Sequence, residues 1–403
     1  MNVLFLNNFP FYPSIGGIER VTDLLAKEFI DVYKYNVYYV VTENKHIDTL
    51  EYQLPAPLFV LPAGSLETKQ QRLSEIVKKY GIDVIINQRG QISYFADLVQ
   101  CLDIPIISVI HSQPNAYIKL HLNKILRHSD SIVGYVKFIL KIILYPLLYL
   151  KRRRYIISEV SGLYRNIIER SDAVVLLSDK YIDGFNSLVK TKDNQHCKIM
   201  GIPNPNTYKI ISTLPKKSYT LLYVGRLCSE EKNPIRLLKI WRVLSKKHID
   251  WDLKFVGDGN ALDSMKKYVV RYNLQRVNFC GNQENVMDYY LDASFVCLIS
   301  NIEGWGMALT EGMQCGCIPI TFNSYGAASD IIDDGINGCL IEPFNLREYA
   351  RRLSDLMSDE HKRERMSEAA QKKVKQFDVS NVAKKWNELI QELLSKQIRR
   401  VNI

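Results

Sequence analysis

No two of the eight cysteines are spaced C-x-x-C, and no histidine lies at zinc-ligand spacing from one of them. A zinc module and a disulfide framework are therefore not encoded, and the thiols fit a reducing, cytosolic compartment. Cys315 and Cys317 flank one glycine inside an apolar stretch and read as packed thiols. The first strand is not followed by G-x-G-x-x-G, so a dinucleotide fingerprint is unsupported. The N-terminus, Met1-Asn2-Val3-Leu4-Phe5-Leu6, lacks a basic start and a cleavage site, and reads as a strand rather than a signal peptide. The D-x-D motif Asp250-Trp251-Asp252 precedes its strand, at the end opposite the usual ligand edge of a parallel sheet. It is set aside as a metal site, and neither metal nor cofactor is expected. Acid is also short: 53 Lys and Arg face 43 Asp and Glu, a net charge of +10 over 403 residues. That balance favours an anionic partner, and the length suffices for two domains.

What is present is a repeated order of strand, glycine turn and helix. Its fullest version is Asn301-Ile302-Glu303-Gly304-Trp305-Gly306-Met307-Ala308-Leu309-Thr310-Glu311-Gly312. The apolar run 294–300 before it reads as a buried parallel strand, and Met307 onward as a helix. Free N–H groups and the positive dipole end at such a junction hold phosphate. The acids have another use. Glu311, about one turn into the helix, can accept two hydroxyls from a ribose diol, and Glu303 can do the same for a hexose. The alternative is a surface helix start whose acids complement the dipole.

A second version opens the chain. Residues 2–6 form a strand, Gly16-Gly17-Ile18-Glu19 follows in a loop, and an amphipathic helix is expected over about 21–30. The alternative for the glycine pair is a tight turn needing positive φ. A third version starts at Tyr219: a strand ends in Gly225, and Arg226 and Lys232 flank a short loop. The helix after Pro234 then carries Ile235, Leu238 and Trp241 on one face. Further strands are read at 37–42, 84–87, 105–110, 173–178, 252–256 and 338–343, and a strand and turn over 277–282. Helices are read at 73–80, ended by Gly81, and from Asn345 on. A final helix over 382–394 takes Ser380 as its N-cap. His111 stands at the C-terminal end of a strand, where α/β ligand sites lie; a packed or surface histidine is the other reading.

The spacing Glu303 to Glu311, with Cys315-Gly316-Cys317-Ile318-Pro319 behind it, resembles the E-x7-E motif of retaining GT-B glycosyltransferases, family 4, the group 1 glycosyltransferases. The resemblance implies an α/β fold of two Rossmann-like doubly wound domains facing a cleft. An acceptor-binding domain would span 1–207 and a nucleotide-sugar domain 219–379, with a helix over about 380–403 packing back on the first. It implies that Glu303 contacts the transferred sugar and Glu311 the nucleotide ribose. Gly304, Trp305, Gly306, Met307 and Ala308 would form the donor turn between them. Gly225, Arg226 and Lys232 resemble the family's diphosphate clamp. The physics agrees: a leaving diphosphate gains negative charge, and two fixed cations stabilise it. Gly281 and Asn282 would meet the base through their backbone. Gly16 and Gly17 would lie near the donor phosphates and acceptor, His111 near the donor sugar, and Asn204 in the Ile-Pro-Asn segment ending the first domain. Trp305 stands where Phe is usual, Thr310 where Leu is common and Asp330 where Glu is common, which leaves donor identity open.

The stretch 119–154 is rich in Lys, Arg, Leu, Ile and Tyr and nearly free of acids. Its apolar centre has the length of a membrane span, but Lys137 and Lys141 near the middle each cost about 2.5–3.5 kcal/mol there. Four residues apart, they share one helix face. That suits a segment lying in the interface, with Lys151, Arg152, Arg153 and Arg154 on anionic headgroups. The alternative is a buried helical insertion with a solvated Lys ridge. Because the positive excess concentrates here, without a base-reading motif, nucleic acid is not expected as a partner.

The function expected from these readings is transfer of a hexose, with retention, from a UDP- or GDP-sugar to an acceptor hydroxyl. The acceptor would be a lipid-linked glycan in surface polysaccharide biosynthesis, met on the inner face of the membrane. The rivals are a sucrose- or glycogen-synthase-like transferase with a soluble acceptor, and a non-catalytic nucleotide-sugar-binding subunit.

Overall fold

Two all-parallel sheets organise the chain. The computed structural model describes residues 1–43, 52–123, 145–189, 196–209, 211 and 213–401, in two units: Met1–Ile202 with Lys385–Ile403, and Pro203–Lys384. Strands of the first unit are β1 (Asn2–Asn7), β2 (Asn36–Val41), β3 (Leu58–Val60), β4 (Val84–Asn87), β5 (Ile106–Ile110), β6 (Ala173–Leu176) and β7 (Lys198–Gly201). Their order is β3-β2-β1-β4-β5-β6-β7. The second unit has β8 (Ser218–Val224), β9 (Asp252–Val256), β10 (Val277–Phe279), β11 (Ala293–Leu298), β12 (Ile318–Phe322) and β13 (Cys339–Ile341), ordered β10-β9-β8-β11-β12-β13. Strand order reverses between β1 and β4 and between β8 and β11. Loops leaving the C-terminal ends of such a pair splay apart and open a ligand crevice.

The central strands form where apolar residues run together, as strands covered on both faces must. Every residue of β5, β11 and β12 is buried. The helix Ile235–Leu244 buries Leu238 and Trp241, and the Trp241 indole N–H donates to the Gln275 carbonyl at 3.0 Å. Burying such side chains stabilises by roughly 1.5–3 kcal/mol each. Cys315 and Cys317 are buried, and burial pushes their thiols up to about 12 and about 11.

Several helix boundaries differ from the pattern reading. The first helix spans Gly17–Asp31, because Gly16 is extended and its carbonyl already accepts from the Arg20 N–H. The second begins at Leu66 rather than 73, capped by Ser65, whose side chain accepts from Thr68 N–H; it ends at left-handed Gly81. The last helix is Val379–Val401, so Ser380 lies inside its first turn. Asp378 precedes that helix with extended backbone, and its carbonyl takes the Val382 N–H. β3 and β7 were not read as strands: both are short, and β7 is only partly buried.

Residues 124–144, which hold Lys137 and Lys141, lie outside the described residues. The helix Tyr145–Glu169 carries the end of that segment and continues past Arg154. Its later half buries Ile156, Val160, Tyr164 and Ile167 on one face, while Lys151, Arg152, Arg153 and Arg154 are exposed. Among the described residues no helix is long and apolar enough to cross a membrane.

Candidate active site

β8 and β11 pair directly, so the loops leaving them meet. Lys232 Nζ, in the loop after β8, donates to Glu303 Oε1 at 2.6 Å, and Ser300 Oγ donates to the same oxygen at 2.7 Å. The two side chains of this ion pair are 19% and 9% exposed. Backbone stitches the loops together. The N–H groups of Asn301 and Ile302 both donate to the Glu231 carbonyl, and the Asn301 side-chain amide donates to the Glu230 carbonyl at 2.8 Å. Arg226 is 71% exposed and paired with Glu231 at 2.6 Å, a surface pair of small energetic weight.

The floor under this loop is bare backbone. Gly225 follows β8; Gly257 follows β9 at φ 132°, where a Cβ would overlap the Gly225 carbonyl. The Gly257 N–H donates to the Gly281 carbonyl at 2.8 Å, so the turns after β8, β9 and β10 stack edge to edge. Asn282, beside Gly281, is exposed. Asp250 and Asp252 lie at the start of β9, the opposite end of the strand. Among the described residues no three His, Cys, Asp or Glu side chains converge as metal ligands.

The helix Met307–Gln314 is entered through Gly306 at φ 95°, where a Cβ would come within 2.8 Å of the Tyr325 hydroxyl. Gly304, Met307 and Ala308 are half-buried around that entrance. Trp305 is 2% exposed and packs edge-on against Phe377. Glu311 is 4% exposed. Its Oε1 accepts from Thr207 Oγ1 at 2.9 Å and its Oε2 from Tyr290 Oη at 2.9 Å. Burial and the adjacent carboxylate hold the Tyr290 phenol far above its ordinary range. Lys217 Nζ donates to the carbonyls of Tyr290, Leu291 and Cys315, tying together the ends of the two helices that carry Tyr290 and Glu311.

The first unit has its own polar cluster at the β1/β4 reversal. Arg89 Nε donates to Asn7 Oδ1 at 2.7 Å, and Glu19 Oε1 receives both Asn7 Nδ2 and Arg89 Nη2. Gly16 is extended rather than left-handed; a side chain there would press on the Glu19 carboxylate, at 2.9 Å. Gly17 begins the first helix. His111 Nε2 donates to the Gln88 amide oxygen at 2.6 Å, and its backbone N–H donates to Gln91 Oε1. Burial, helped by the Arg89 charge, pushes the His111 imidazole down to about 3, so it is neutral at physiological pH. Asn204 is buried, and it belongs to the second unit rather than the end of the first.

The structure thus brings Lys232 and Glu303 together, joins Gly225 to Gly281 through Gly257, and gives Glu311 its own hydroxyl partners. Arg89, Asn7, Thr207 and Tyr290 were not singled out from the sequence. The polar run Asn87-Gln88-Arg89 directly after an apolar strand was the available signal for Arg89; Tyr290 has no motif around it.

Residues 204–373 match the profile of the family described as glycosyl transferases group 1. A Haemophilus influenzae protein described as an uncharacterized glycosyltransferase is 26% identical over 393 residues, covering 94% of this chain and 97% of its own length. A Campylobacter jejuni enzyme is 31% identical over 180 residues, 44% of this chain and 49% of its own. It is named as a GalNAc-alpha-(1->4)-GalNAc-alpha-(1->3)-diNAcBac-PP-undecaprenol alpha-1,4-N-acetyl-D-galactosaminyltransferase. In fold, the chain is similar to Anabaena HepE, solved in complex with UDP and glucose. The TM-score is 0.72 at 18% identity, with 97% of this chain and 100% of that one covered. With two parallel Rossmann-like sheets and a second unit that matches the group 1 glycosyl transferases over residues 204–373, the chain is a glycosyltransferase of GT-B architecture.

Proposed function

We propose that this glycosyltransferase moves a hexose from a nucleoside diphosphate sugar to a hydroxyl of a lipid-linked glycan, with retention, during synthesis of a surface polysaccharide. The observation that carries the reading is the contact of Lys232 with Glu303 at the β8/β11 reversal. A cation and a hydroxyl-accepting carboxylate at one point suit a bond that breaks between a sugar and a diphosphate. As the C1–O bond opens, negative charge builds on the leaving diphosphate, and Lys232, Arg226 and the N–H groups entering the helix Met307–Gln314 stabilise it. The acceptor oxygen bonds to C1 from the same face, and a leaving phosphate oxygen takes its proton. Glu303 holds sugar hydroxyls and Glu311 the ribose diol. These basic groups carry the charge without a metal.

UDP is the favoured nucleotide, in line with the UDP of the HepE complex. A lipid-linked acceptor is in line with the name of the Campylobacter relative, which specifies an undecaprenol diphosphate carrier. The exposed run Lys151–Arg154 supports a peripheral position on an anionic cytoplasmic membrane face, at about 1 kcal/mol per basic residue. Screening UDP- and GDP-sugars for release of free nucleotide tests the reading. One donor should be turned over, faster with glycolipid acceptor and phosphatidylglycerol vesicles present. Failure to turn over any donor under those conditions overturns it.

A further inference from the structure

The Glu311 carboxylate is gripped on both oxygens by hydroxyls from distant parts of the second unit: Thr207, 104 residues away, and Tyr290, 21 residues away. A carboxylate accepts only, so both hydroxyls donate to it, and one donor on each oxygen fixes rotation about its last side-chain bond. Tyr290 is fully buried, and Lys217 pins the backbone of its helix to the end of the Glu311 helix. The carbonyl and the N–H of Tyr208, next to Thr207, are both held by the Gln314 side chain, three residues beyond Glu311. The Thr207 hydroxyl is thus held over the same helix. A carboxylate has about four acceptor directions, so hydroxyls that set its plane also set where further donors bind.

We infer that Tyr290 and Thr207 are positioning residues that aim the Glu311 carboxylate at the donor's ribose diol, and that they set the preference for a ribonucleotide over its 2′-deoxy counterpart. The inference rests on the reading of Glu311 as the ribose ligand. A site built to bond a hydroxyl rejects the analogue without it, because its buried acceptor is then left short. A carboxylate free to swing loses that discrimination while still binding diphosphate and base.

The test measures affinity for UDP, GDP and their 2′-deoxy forms by calorimetry in the full chain. Wild type should prefer the ribonucleotide by about tenfold or more. Glu311→Gln should erase most of that preference. Tyr290→Phe, which removes one oxygen from a ring that stays in place, should cut it to about threefold or less with the deoxynucleotide affinity unchanged; Thr207→Val should reduce it as well. If Glu311→Gln loses the preference but Tyr290→Phe and Thr207→Val keep it, the inference is overturned and the ribose reading stands. If Glu311→Gln keeps it, or wild type shows none, the ribose reading itself fails. Should Tyr290→Phe not fold, Thr207→Val alone decides by the same criterion.

Discussion

The Lys232 ammonium lies 2.6 Å from the Glu303 carboxylate, so each holds the other at the reversal of the second sheet. Replacing Lys232 with Ala removes both a cation for the leaving group and the partner of a buried acid. Turnover should fall about 10²–10³-fold, more than affinity for the nucleotide does. Stability should fall by about 1–3 kcal/mol. Adding Glu303→Gln should recover much of the stability and none of the turnover. Urea unfolding and initial rates on the three variants check both statements.

Glu311→Ala should separate binding from chemistry in the other direction. Affinity for the nucleoside diphosphate should weaken about 10–100-fold, with kcat at saturating donor within a few-fold of wild type. Calorimetry and saturation kinetics read the two numbers. Near-normal affinity removes Glu311 from the donor site.

Acid should destabilise the first unit through His111. Its imidazole titrates near 3 when folded and near 6.5 when unfolded. Above 6.5 neither state is protonated there, and the group adds no pH dependence. Below 6.5 the unfolded chain binds a proton that the folded chain does not, so stability drains as pH falls toward 3, by up to about 1.4 kcal/mol per pH unit. His111→Gln should flatten the stability profile over that window by one proton. It should leave the shape of the rate profile between pH 6 and 8 unchanged, since a neutral imidazole has nothing to titrate there.

Gly257→Ala should cripple the loop that bears Arg226 and Lys232. Its φ is 132° and a side chain would run into the Gly225 carbonyl, so the turns after β8 and β9 must separate. A loss of about 3 kcal/mol or more in unfolding free energy is expected, with a raised donor KM in whatever remains folded. Gly335→Ala, at φ 76° with open space around it, is the comparison for backbone strain without the clash.

Turnover should survive a chelator. With EDTA present the rate should stay within about twofold of the untreated enzyme, as expected where fixed cations do the work of a metal. Loss of activity that magnesium or manganese restores overturns the metal-free reading.

Much of the second unit was legible in its sequence because β11 and its neighbours are largely apolar runs and the turns after β8, β9, β10 and β11 are marked by glycine. The runs at 219–224 and 294–300 declare themselves locally. That they lie side by side, putting Lys232 on Glu303, follows only from strand order, a property of the whole sheet. Tyr290 shows the complementary failure. It sits in a helix of six residues, Met287–Asp292, with no periodicity long enough to read, and its partner Glu311 is chosen by tertiary packing. The early start at Leu66 was hidden by Glu67, Thr68, Lys69, Gln70 and Gln71, a polar first turn that carries a cap but no apolar stripe. Arg89 escaped because a short polar run at the end of a strand is ordinary until the fold sets Arg89 against Asn7 and Glu19.

The last helix has an implication for how the polypeptide is made. Tyr35 bonds to Asn387, Lys198 to Glu392, and Gln397 reaches the Asp103 carbonyl, all within the first unit. A growing chain has made β1 to β7 long before those partners leave the ribosome, because the whole of Pro203–Lys384 is translated in between. The earlier half therefore waits with a face uncovered while the later half can already be complete. Conditions that stall translation between Pro203 and Lys384 should leave nascent chains whose first sheet is open to chaperones and proteases.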